Sequence, residues 1–256
     1  MSSSYRYKII VEYDGRAFSG WQRQKDSPSI QGTIEKAIKA FSGEDVTLHV
    51  AGRTDAGVHA LAQVAHFDLT KQYEPHVVKN AINAHLRPCA IAIITAEEMP
   101  LDFHARFSAQ KRYYCYRFIS ARAAPLILHE GRAWRIHQTL DLSAMQKAAN
   151  YLLGTHDFSS FRDSQCQAKS PIRTLERCEW VTPDDPFLSE GIRYDFYVEA
   201  KSFLHHQIRN IVGSLYKVGL GEWSAEDIKT ILDAKDRTKA GITAPAEGLY
   251  FLKVDY

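Results

Sequence analysis

A carboxylate and a guanidinium lie close together in the sequence, at Asp55 and Arg53, between the glycines Gly52 and Gly57. Because glycine permits sharp backbone turns, this spacing predicts a tight connection that presents Asp55 at its tip. A carboxylate beside a guanidinium stays ionised at neutral pH and is able to act as a nucleophile or a general base. The same pattern is also typical of an ordinary Asp-Ala-Gly turn, in which the side chain only caps its own backbone.

Regular elements are expected on both sides of this loop. Val46–Val50 and Val58–Phe67 have the composition of strands, and Tyr5–Tyr13 alternates apolar and polar residues before an Asp-Gly turn. A helix is predicted from Ser29 to Phe41, with apolar residues on one face and Gly43 just beyond its end. We expect the loop to join two strands of an α+β sandwich whose helices cover one face of the sheet.

The helix and strand pattern continues and then restarts near residues 105–110. Before that point we predict a helix from Pro75 that stops before Pro88 and a strand over Ala90–Thr95. After it we predict helices over Leu142–Leu153, near 203–213 and over Ala225–Ala234, strands over Ser170–Val181 and Gly191–Lys201, and a final apolar strand. The expected division is an N-terminal α+β half, 1–107, that carries the Asp55 loop, and a C-terminal α+β half, 108–256.

Two segments combine cations and aromatic rings without any acidic residue. The first runs from Arg16 to Lys25 and contains Phe18, Trp21 and Arg23. Cations beside aromatic rings suit a loop that follows an RNA backbone and stacks on bases, so Arg16, Trp21 and Arg23 are candidate RNA contacts. A surface loop anchored by two buried aromatic side chains explains the pattern equally well.

The second acid-free segment is His104–Arg117, in which Arg106, Lys111 and Arg112 are candidate RNA contacts. From Lys111 onward it alternates like a strand, which places Tyr113 on the face opposite Arg112 and Tyr114. Tyrosine is common in strands, and half-buried packing is an alternative explanation of the pattern.

Arg209 lies among the apolar residues Ile208, Ile211 and Val212 in a predicted helix. An arginine in such a setting usually has a carboxylate partner, although a surface arginine that extends its stem along apolar residues is an equal alternative. His205 and His206 are adjacent rather than one helical turn apart, which argues against a metal-binding pair.

Composition restricts the class of protein. The chain of 256 residues is 45% hydrophobic and 24% charged, as in soluble globular proteins, and its net charge is only +2. A nucleic-acid surface must therefore arise from local clusters of cations. The four cysteines form no zinc-ligand pattern and indicate isolated buried thiols, and no signal peptide or membrane-spanning run is present in the sequence. We expect a cytoplasmic protein.

Several separate motifs together resemble the tRNA pseudouridine synthase A family. They occur in the family's order over almost the whole chain: Phe18-Ser-Gly-Trp-Gln22, Ile30-Gln-Gly32, Gly52-Arg-Thr-Asp-Ala-Gly-Val-His59, Lys111-Arg-Tyr113, Phe158-Ser-Ser-Phe-Arg162, Phe203–Gly213 and Glu247-Gly-Leu-Tyr-Phe251. Each motif is short, but the combination is specific, and no position that should carry chemistry departs from it.

The resemblance implies an isomerase that converts uridine to pseudouridine at positions 38, 39 and 40 in the anticodon stem-loop of tRNA. It implies an α+β fold in which two similar halves make one continuous, mostly antiparallel sheet with a central cleft. It also implies a homodimer that needs no cofactor and no metal.

The resemblance also implies roles for individual residues. Asp55 matches the catalytic aspartate, Arg209 its basic partner, and Tyr113 the tyrosine that packs on the target base. Arg53 matches an arginine near the flipped nucleotide, and Leu249 an apolar residue of the pocket. The basic residues Arg16, Arg23, Arg106, Lys111, Arg112 and Arg162, with Trp21, would then contact the RNA around an extruded base.

Two other classes of function are alternatives to an RNA-modifying isomerase. A non-catalytic tRNA-binding or chaperone module of the same fold would be favoured by loss of Asp55, Tyr113 or Arg209, and all three are present. A metal-dependent nuclease would need further carboxylates close to Asp55 in the sequence, and none is there. The sequence leaves open whether Asp55 attacks as a nucleophile or removes the ribose 2′ proton.

Overall fold

A computed structural model describes residues 4–256 of the chain. The helices are α1 (Ile30–Ser42), α2 (Pro75–Leu86), α3 (Leu142–Asn150), α4 (Gln207–Gly219) and α5 (Ala225–Ala234). The strands are β1 (Tyr5–Tyr13), β2 (His49–Val50), β3 (His59–Leu69), β4 (Ile91–Met99), β5 (Lys111–Ser120), β6 (Trp134–Arg135), β7 (Gly154–Asp157), β8 (Ile172–Val181), β9 (Ile192–Ala200) and β10 (Leu249–Asp255).

The chain forms two compact units, and their boundaries differ from the expected division at 107/108. Unit 1 contains residues up to Gln110 together with Tyr250–Tyr256, and unit 2 contains Lys111–Leu249. The C-terminal residues belong to unit 1 because β10 pairs in parallel with β3, Tyr250 opposite His59 and Phe251 opposite Ala60. Parallel pairing joins segments far apart in sequence, and local patterns do not reveal it.

Unit 1 is built on strands in the order β4-β1-β3-β10, with the short β2 paired to β3. The contacts of β1 with β3 and β4 are antiparallel. Alternate residues of β1, namely Tyr7, Ile9, Val11 and Tyr13, are buried, as the alternating sequence predicts. Helix α2 packs on β4, and α1 packs on α2.

The ends of α1 follow the predicted capping residues closely. The Ser29 hydroxyl accepts a hydrogen bond from the Gly32 N–H at 3.2 Å, which satisfies a donor that the first turn leaves unpaired. Gly43 ends the helix with a left-handed backbone at φ +79°. The helix therefore begins and ends where the sequence predicts.

Unit 2 is built on antiparallel strands in the order β5-β9-β8-β7, with β6 beside β5. Alternation along β5 places Tyr114, Tyr116 and Phe118 on one face and Tyr113 on the other. Phe118 packs against Trp134 and Trp180 at centroid distances of 5.1 and 5.2 Å. This aromatic layer forms much of the core of unit 2, and α4 contacts both α3 and α5.

Several predicted boundaries shift by a few residues. Helix α4 starts at Gln207 because His206 adopts a left-handed backbone, φ 59°, at its N-cap. Helix α3 ends at Asn150 rather than Leu153, and β2 begins at His49 rather than Val46. Between residues 4 and 256, no helix is both long enough and apolar enough to span a bilayer.

Candidate functional site

The Asp55 loop, defined here as residues 51–58, connects β2 to β3 in unit 1. The Val58 N–H donates to the Asp55 carbonyl at 3.2 Å and closes the predicted turn. Within the loop Thr54 is buried, whereas Asp55 is partly exposed and Arg53 is exposed. The turn therefore leaves the Asp55 side chain accessible, and Arg53 lies on the same loop.

Contacts from the first strand and the following segment hold the Asp55 loop at Thr54. The Tyr13 hydroxyl lies 2.8 Å from the Thr54 hydroxyl, and the backbone N–H of Trp21 donates to the Thr54 carbonyl at 3.0 Å. Burial raises the pKa of Tyr13 to about 12, so this phenol stays protonated at all physiological pH values. The hydroxyl and the carbonyl of Thr54 are thus both hydrogen-bonded by the segment 13–21.

Gln63 holds the other end of the loop from within β3. Its side chain is fully buried, and its amide Nε2 donates to the Gly52 carbonyl at 2.8 Å. Its Oε1 accepts from the Val64 N–H at 3.2 Å, which orients the amide. Sequence reasoning missed Gln63, and the available signal was a glutamine between the apolar pairs Leu61-Ala62 and Val64-Ala65.

Close backbone contacts explain two glycines of the preceding segment. Gly20 has φ +102°, and a Cβ there would lie 2.8 Å from the Thr54 carbonyl oxygen. A Cβ on Gly15 would lie 2.1 Å from the Val58 carbonyl oxygen. Both residues therefore need to lack a side chain so that the segment after β1 can pass directly against the Asp55 loop.

His59 is a second buried polar residue that the sequence did not single out. Its Nδ1 accepts from the Gly15 N–H at 3.2 Å, and its ring stacks on Tyr250 with a centroid distance of 4.8 Å. Asp14 lies 3.4 Å from the same nitrogen. Burial favours the neutral Asp14 carboxyl, but hydrogen bonds from Arg16 and its positive charge outweigh burial and lower the pKa of Asp14 to about 2.

In unit 2, Tyr113 lies on β5 opposite Glu199 of β9. The Lys111 ammonium lies 5.8 Å from the centre of the Tyr113 ring, within the range of a cation–π contact. Lys111 also forms ion pairs with Glu176 and with Glu199. The cation expected to face RNA is therefore engaged with carboxylates of its own unit.

Arg209 lies in the first turn of α4 and is partly buried. Its Nε donates to the Ala244 carbonyl at 2.7 Å, and the Ala244 N–H donates back to the Arg209 carbonyl at 3.1 Å. The Tyr116 hydroxyl donates to the Pro245 carbonyl at 2.7 Å. These bonds position the segment that ends at Leu249, which is only 6% exposed. Within unit 2, the bonds between Arg209 and Ala244 therefore link Arg209 to the segment that carries Leu249.

Two candidate RNA contacts lie in the protein interior instead of at the surface. Trp21 is 1% exposed and packs against Tyr13 at a centroid distance of 6.0 Å, so its ring is not presented for stacking on a base. Arg112 is 8% exposed, and its guanidinium donates to the Lys201 carbonyl. The alternative of a loop anchored by buried aromatic residues describes the segment after β1 better.

The remaining basic candidates are more accessible. Arg16 pairs with Asp14 at 2.7 Å, Arg23 pairs with Glu35 at 3.3 Å, and Arg162 donates to the Cys166 carbonyl at 2.6 Å. Arg106 is exposed beside the ring of Phe107. Ion pairs of exposed arginines such as Arg16 and Arg23 are weak and exchange readily, so phosphate groups can compete for these two guanidinium groups.

Among the cysteines, Cys115, Cys166 and Cys178 are buried free thiols and Cys89 is exposed. Burial raises the pKa of Cys178 to about 12, and burial also raises that of Cys115. These two thiols stay protonated and unreactive at neutral pH.

Comparison with known proteins identifies the family. A family model described as tRNA pseudouridine synthase matches residues 9–108 and 148–256. A protein of Methylocella silvestris named tRNA pseudouridine synthase A is 52% identical over 98% of this chain and 98% of its own length. Proteins with the same name from Afipia carboxidovorans and Sinorhizobium fredii are 53% and 50% identical, each over 98% of this chain and 99% of their own length. The chain therefore belongs to the tRNA pseudouridine synthase family.

Proposed function

We propose that this chain is an isomerase that converts uridine to pseudouridine at positions 38, 39 and 40 in the anticodon stem-loop of tRNA, with Asp55 as the catalytic carboxylate. The proposal is supported by full-length similarity to relatives named tRNA pseudouridine synthase A. It is also supported by an Asp55 loop that is held by hydrogen bonds from Tyr13, Trp21 and Gln63, while Asp55 itself stays partly exposed.

The reaction rearranges bonds without gain or loss of atoms. The C1′–N1 glycosidic bond breaks, the uracil rotates, and a C1′–C5 bond forms. The C5 proton leaves to solvent and N1 acquires a proton. Asp55 serves either as a nucleophile towards the sugar or the base, or as a base that removes the ribose 2′ proton. Neither route requires a metal ion or a cofactor.

Rigid support of the loop is what this chain contributes to either route. A carboxylate must be held close to the reacting atom, because small displacements lower rates strongly. Tyr113 packs on the target base, Leu249 gives the detached uracil apolar cover, and Arg209 acts as the basic residue of the site. Arg53 acts near the extruded nucleotide. We assign these roles by their match to the family's motifs.

We further propose that the enzyme acts in the cytoplasm as a homodimer, with an N-terminal half that carries the Asp55 loop and a C-terminal half that carries Tyr113 and Arg209. The exposed residues Arg16, Arg23 and Arg106, and the partly exposed Arg162, give local positive charge on a chain of net charge +2. Base extrusion requires a few kcal/mol, which RNA contacts offset.

Tritium release tests this function directly. The purified chain is incubated, with EDTA present, with an unmodified tRNA that carries tritium at C5 of its uridines. We expect the native chain to release tritium at the anticodon stem-loop. The Asp55→Asn variant should release none but should still bind tRNA. Asp45→Asn is a matched control, because Asp45 is an exposed residue that pairs with Lys39 on the surface of the same unit.

The other outcomes have defined meanings, and a parallel incubation without EDTA separates two of them. Tight tRNA binding without release in either incubation would assign the chain to the non-catalytic binding module. Release that persists in Asp55→Asn would remove Asp55 from the catalytic role. Release that occurs only in the incubation without EDTA would instead indicate a metal-dependent reaction.

A further inference from the structure

Phe107 is the most exposed aromatic side chain in the described part of unit 1, with 75% of its surface accessible. It lies in the segment between β4 and β5. Full exposure of a phenylalanine ring to water is unfavourable, and such a ring beside cations is typical of a surface that binds a ligand. Neither the motif match nor the proposed catalytic chemistry uses this side chain.

The backbone that carries Phe107 is held rigidly by side chains. The His104 Nδ1 accepts from the N–H groups of Arg106 and Phe107 at 3.1 and 3.3 Å. The Ser108 hydroxyl accepts from the His104 N–H at 3.0 Å, and the Ser108 N–H donates to the His104 carbonyl at 2.9 Å. The segment 104–108 therefore forms a compact, internally bonded turn that fixes the position of Phe107.

Ala105 anchors this turn to the interior of unit 1. Its N–H donates to the buried His66 Nδ1 at 3.1 Å, and its carbonyl accepts from the Tyr256 hydroxyl at 2.8 Å. Ala105 itself is fully buried. An exposed ring on a turn anchored at two points loses little conformational freedom when it binds a partner, which favours affinity.

A column of aromatic rings extends from the interior to Phe107. His66 stacks on His49 at 4.9 Å and contacts His104 at 4.7 Å, and His104 contacts Phe107 at 4.3 Å. His66 is buried, whereas His49 and Phe107 are exposed. Phe107 thus lies at the outer end of a series of ring contacts, in which the His66–His104 contact is edge-to-face and the His104–Phe107 contact is tilted by 34°.

An arginine side chain lies near each end of the column. The Arg106 guanidinium carbon lies 5.6 Å from the centre of the Phe107 ring. Arg6 lies at the inner end, where it donates to the Phe103 carbonyl at 2.7 Å and pairs with Asp68. Burial, with the charge of Arg6, lowers the pKa of His66 to about 4, and burial with His49 and Arg6 lowers the pKa of His104. Both rings are neutral at pH 7 and suited to stacking.

We propose that Phe107, with Arg106 beside it, is a binding site for one unpaired nucleobase of the RNA substrate, held by stacking. This inference rests on the proposed function for the identity of the RNA. An aromatic face with an adjacent guanidinium matches both parts of a nucleotide, because the base stacks and the phosphate pairs with the cation. A protein partner would need a wider apolar surface than one ring.

Equilibrium binding of fluorescein-labelled, unmodified tRNA tests the site in the otherwise native chain. We expect Phe107→Ala to raise the Kd about tenfold or more, equivalent to about 1.4 kcal/mol, with an unchanged melting temperature. Phe107→Tyr should restore native affinity, because it keeps the ring. Phe187→Ala is the matched control, since Phe187 is 70% exposed in unit 2, and its Kd should equal that of the native chain.

Two further measurements separate stacking from charge and from a general apolar contact. Phe107→Leu should lose affinity as Phe107→Ala does, because leucine is apolar but cannot stack. The salt dependence of log Kd should keep its slope in Phe107→Ala, whereas Arg106→Gln should reduce the slope by about one.

Native affinity in Phe107→Ala or in Phe107→Leu would overturn the stacking site. A change in oligomeric mass of Phe107→Ala in sedimentation would also overturn it and assign the ring to a protein interface. The readout is affinity, so the result is independent of tritium release. An unchanged Kd in a chain that does release tritium would refute this site alone, and absent release would refute the proposed reaction alone.

Discussion

Replacement of Gln63 by leucine tests whether the Asp55 loop depends on one buried amide. Leucine is close to glutamine in size but cannot donate to the Gly52 carbonyl or accept from the Val64 N–H, which the native side chain does at 2.8 and 3.2 Å. Loss of a partner that leaves a buried polar group unpaired destabilises a protein by about 1–3 kcal/mol. We expect the free energy of unfolding to fall by about 2 kcal/mol.

The effect on turnover should be larger than the effect on stability suggests. Gly52 lies three residues before Asp55, so release of its carbonyl lets the carboxylate move relative to the substrate. A displacement of about 1 Å can lower a rate by about 100-fold. We expect kcat in the tritium-release assay to fall at least about tenfold while the Kd for tRNA changes little.

Gln72→Leu provides the matched control. Gln72 is exposed and donates to the exposed Glu98 at 2.9 Å on the surface of unit 1. Urea unfolding followed by circular dichroism and single-turnover tritium release should both give native values for this variant. A native kcat in Gln63→Leu would refute the argument that this amide positions Asp55. A native free energy of unfolding in that variant would show that the hydrogen bond to the Gly52 carbonyl does not stabilise the fold.

Two other predictions concern unit 1. The pKa of His66 is about 4 in the folded chain, below its value near 6.5 in the unfolded chain. Between these pH values the unfolded chain binds more protons than the folded chain. The free energy of unfolding should therefore fall by up to about 3 kcal/mol as the pH falls from 6.5 to 4. In urea unfolding across this range, the free energy of unfolding should fall less steeply with decreasing pH in His66→Gln than in His85→Gln, a control substitution of an exposed histidine. Equal pH dependences in the two variants would contradict the low pKa of His66. Gly20→Ala combines a left-handed backbone with a Cβ 2.8 Å from a carbonyl of the Asp55 loop, and it should lower both melting temperature and kcat. Gly43→Ala, with φ +79° and no atom within 4 Å of its Cβ, should lower only the melting temperature, and native kcat in Gly20→Ala would refute the close-contact argument.

Much of the local structure follows from sequence periodicity and capping. Strand β1 has its predicted bounds, Tyr5–Tyr13, and from Tyr7 onward its buried residues alternate with less buried ones, a periodicity that is a strong signal for a strand. Helix α1 follows its Ser29 cap and its Gly43 terminus. The left-handed backbone of His206 was not predictable, because a non-glycine residue adopts that conformation only when its surroundings impose it.

The mixed basic and aromatic segments show the limit of composition. Trp21 and Arg112 have the residue types of an RNA surface, yet one packs on Tyr13 and the other donates to a backbone carbonyl in the interior. Which side chains of a segment face water depends on what the segment packs against, and composition alone does not identify that partner. Phe107 shows the converse, since nothing local distinguishes an exposed phenylalanine from a buried one.

The sequence by itself determined the family, the elements and the position of Asp55 on a glycine-bounded loop, because these depend on local patterns and short motifs. Only the tertiary structure decided what holds that loop. Tyr13, Gly20 and Gln63 reach it from separate segments, through hydrogen bonds and close backbone contacts that exist only after β1 and β3 have paired. The membership of Tyr250–Tyr256 in unit 1 has the same cause, because the parallel pairing of β10 with β3 brings Tyr250 and Phe251 beside His59 and Ala60.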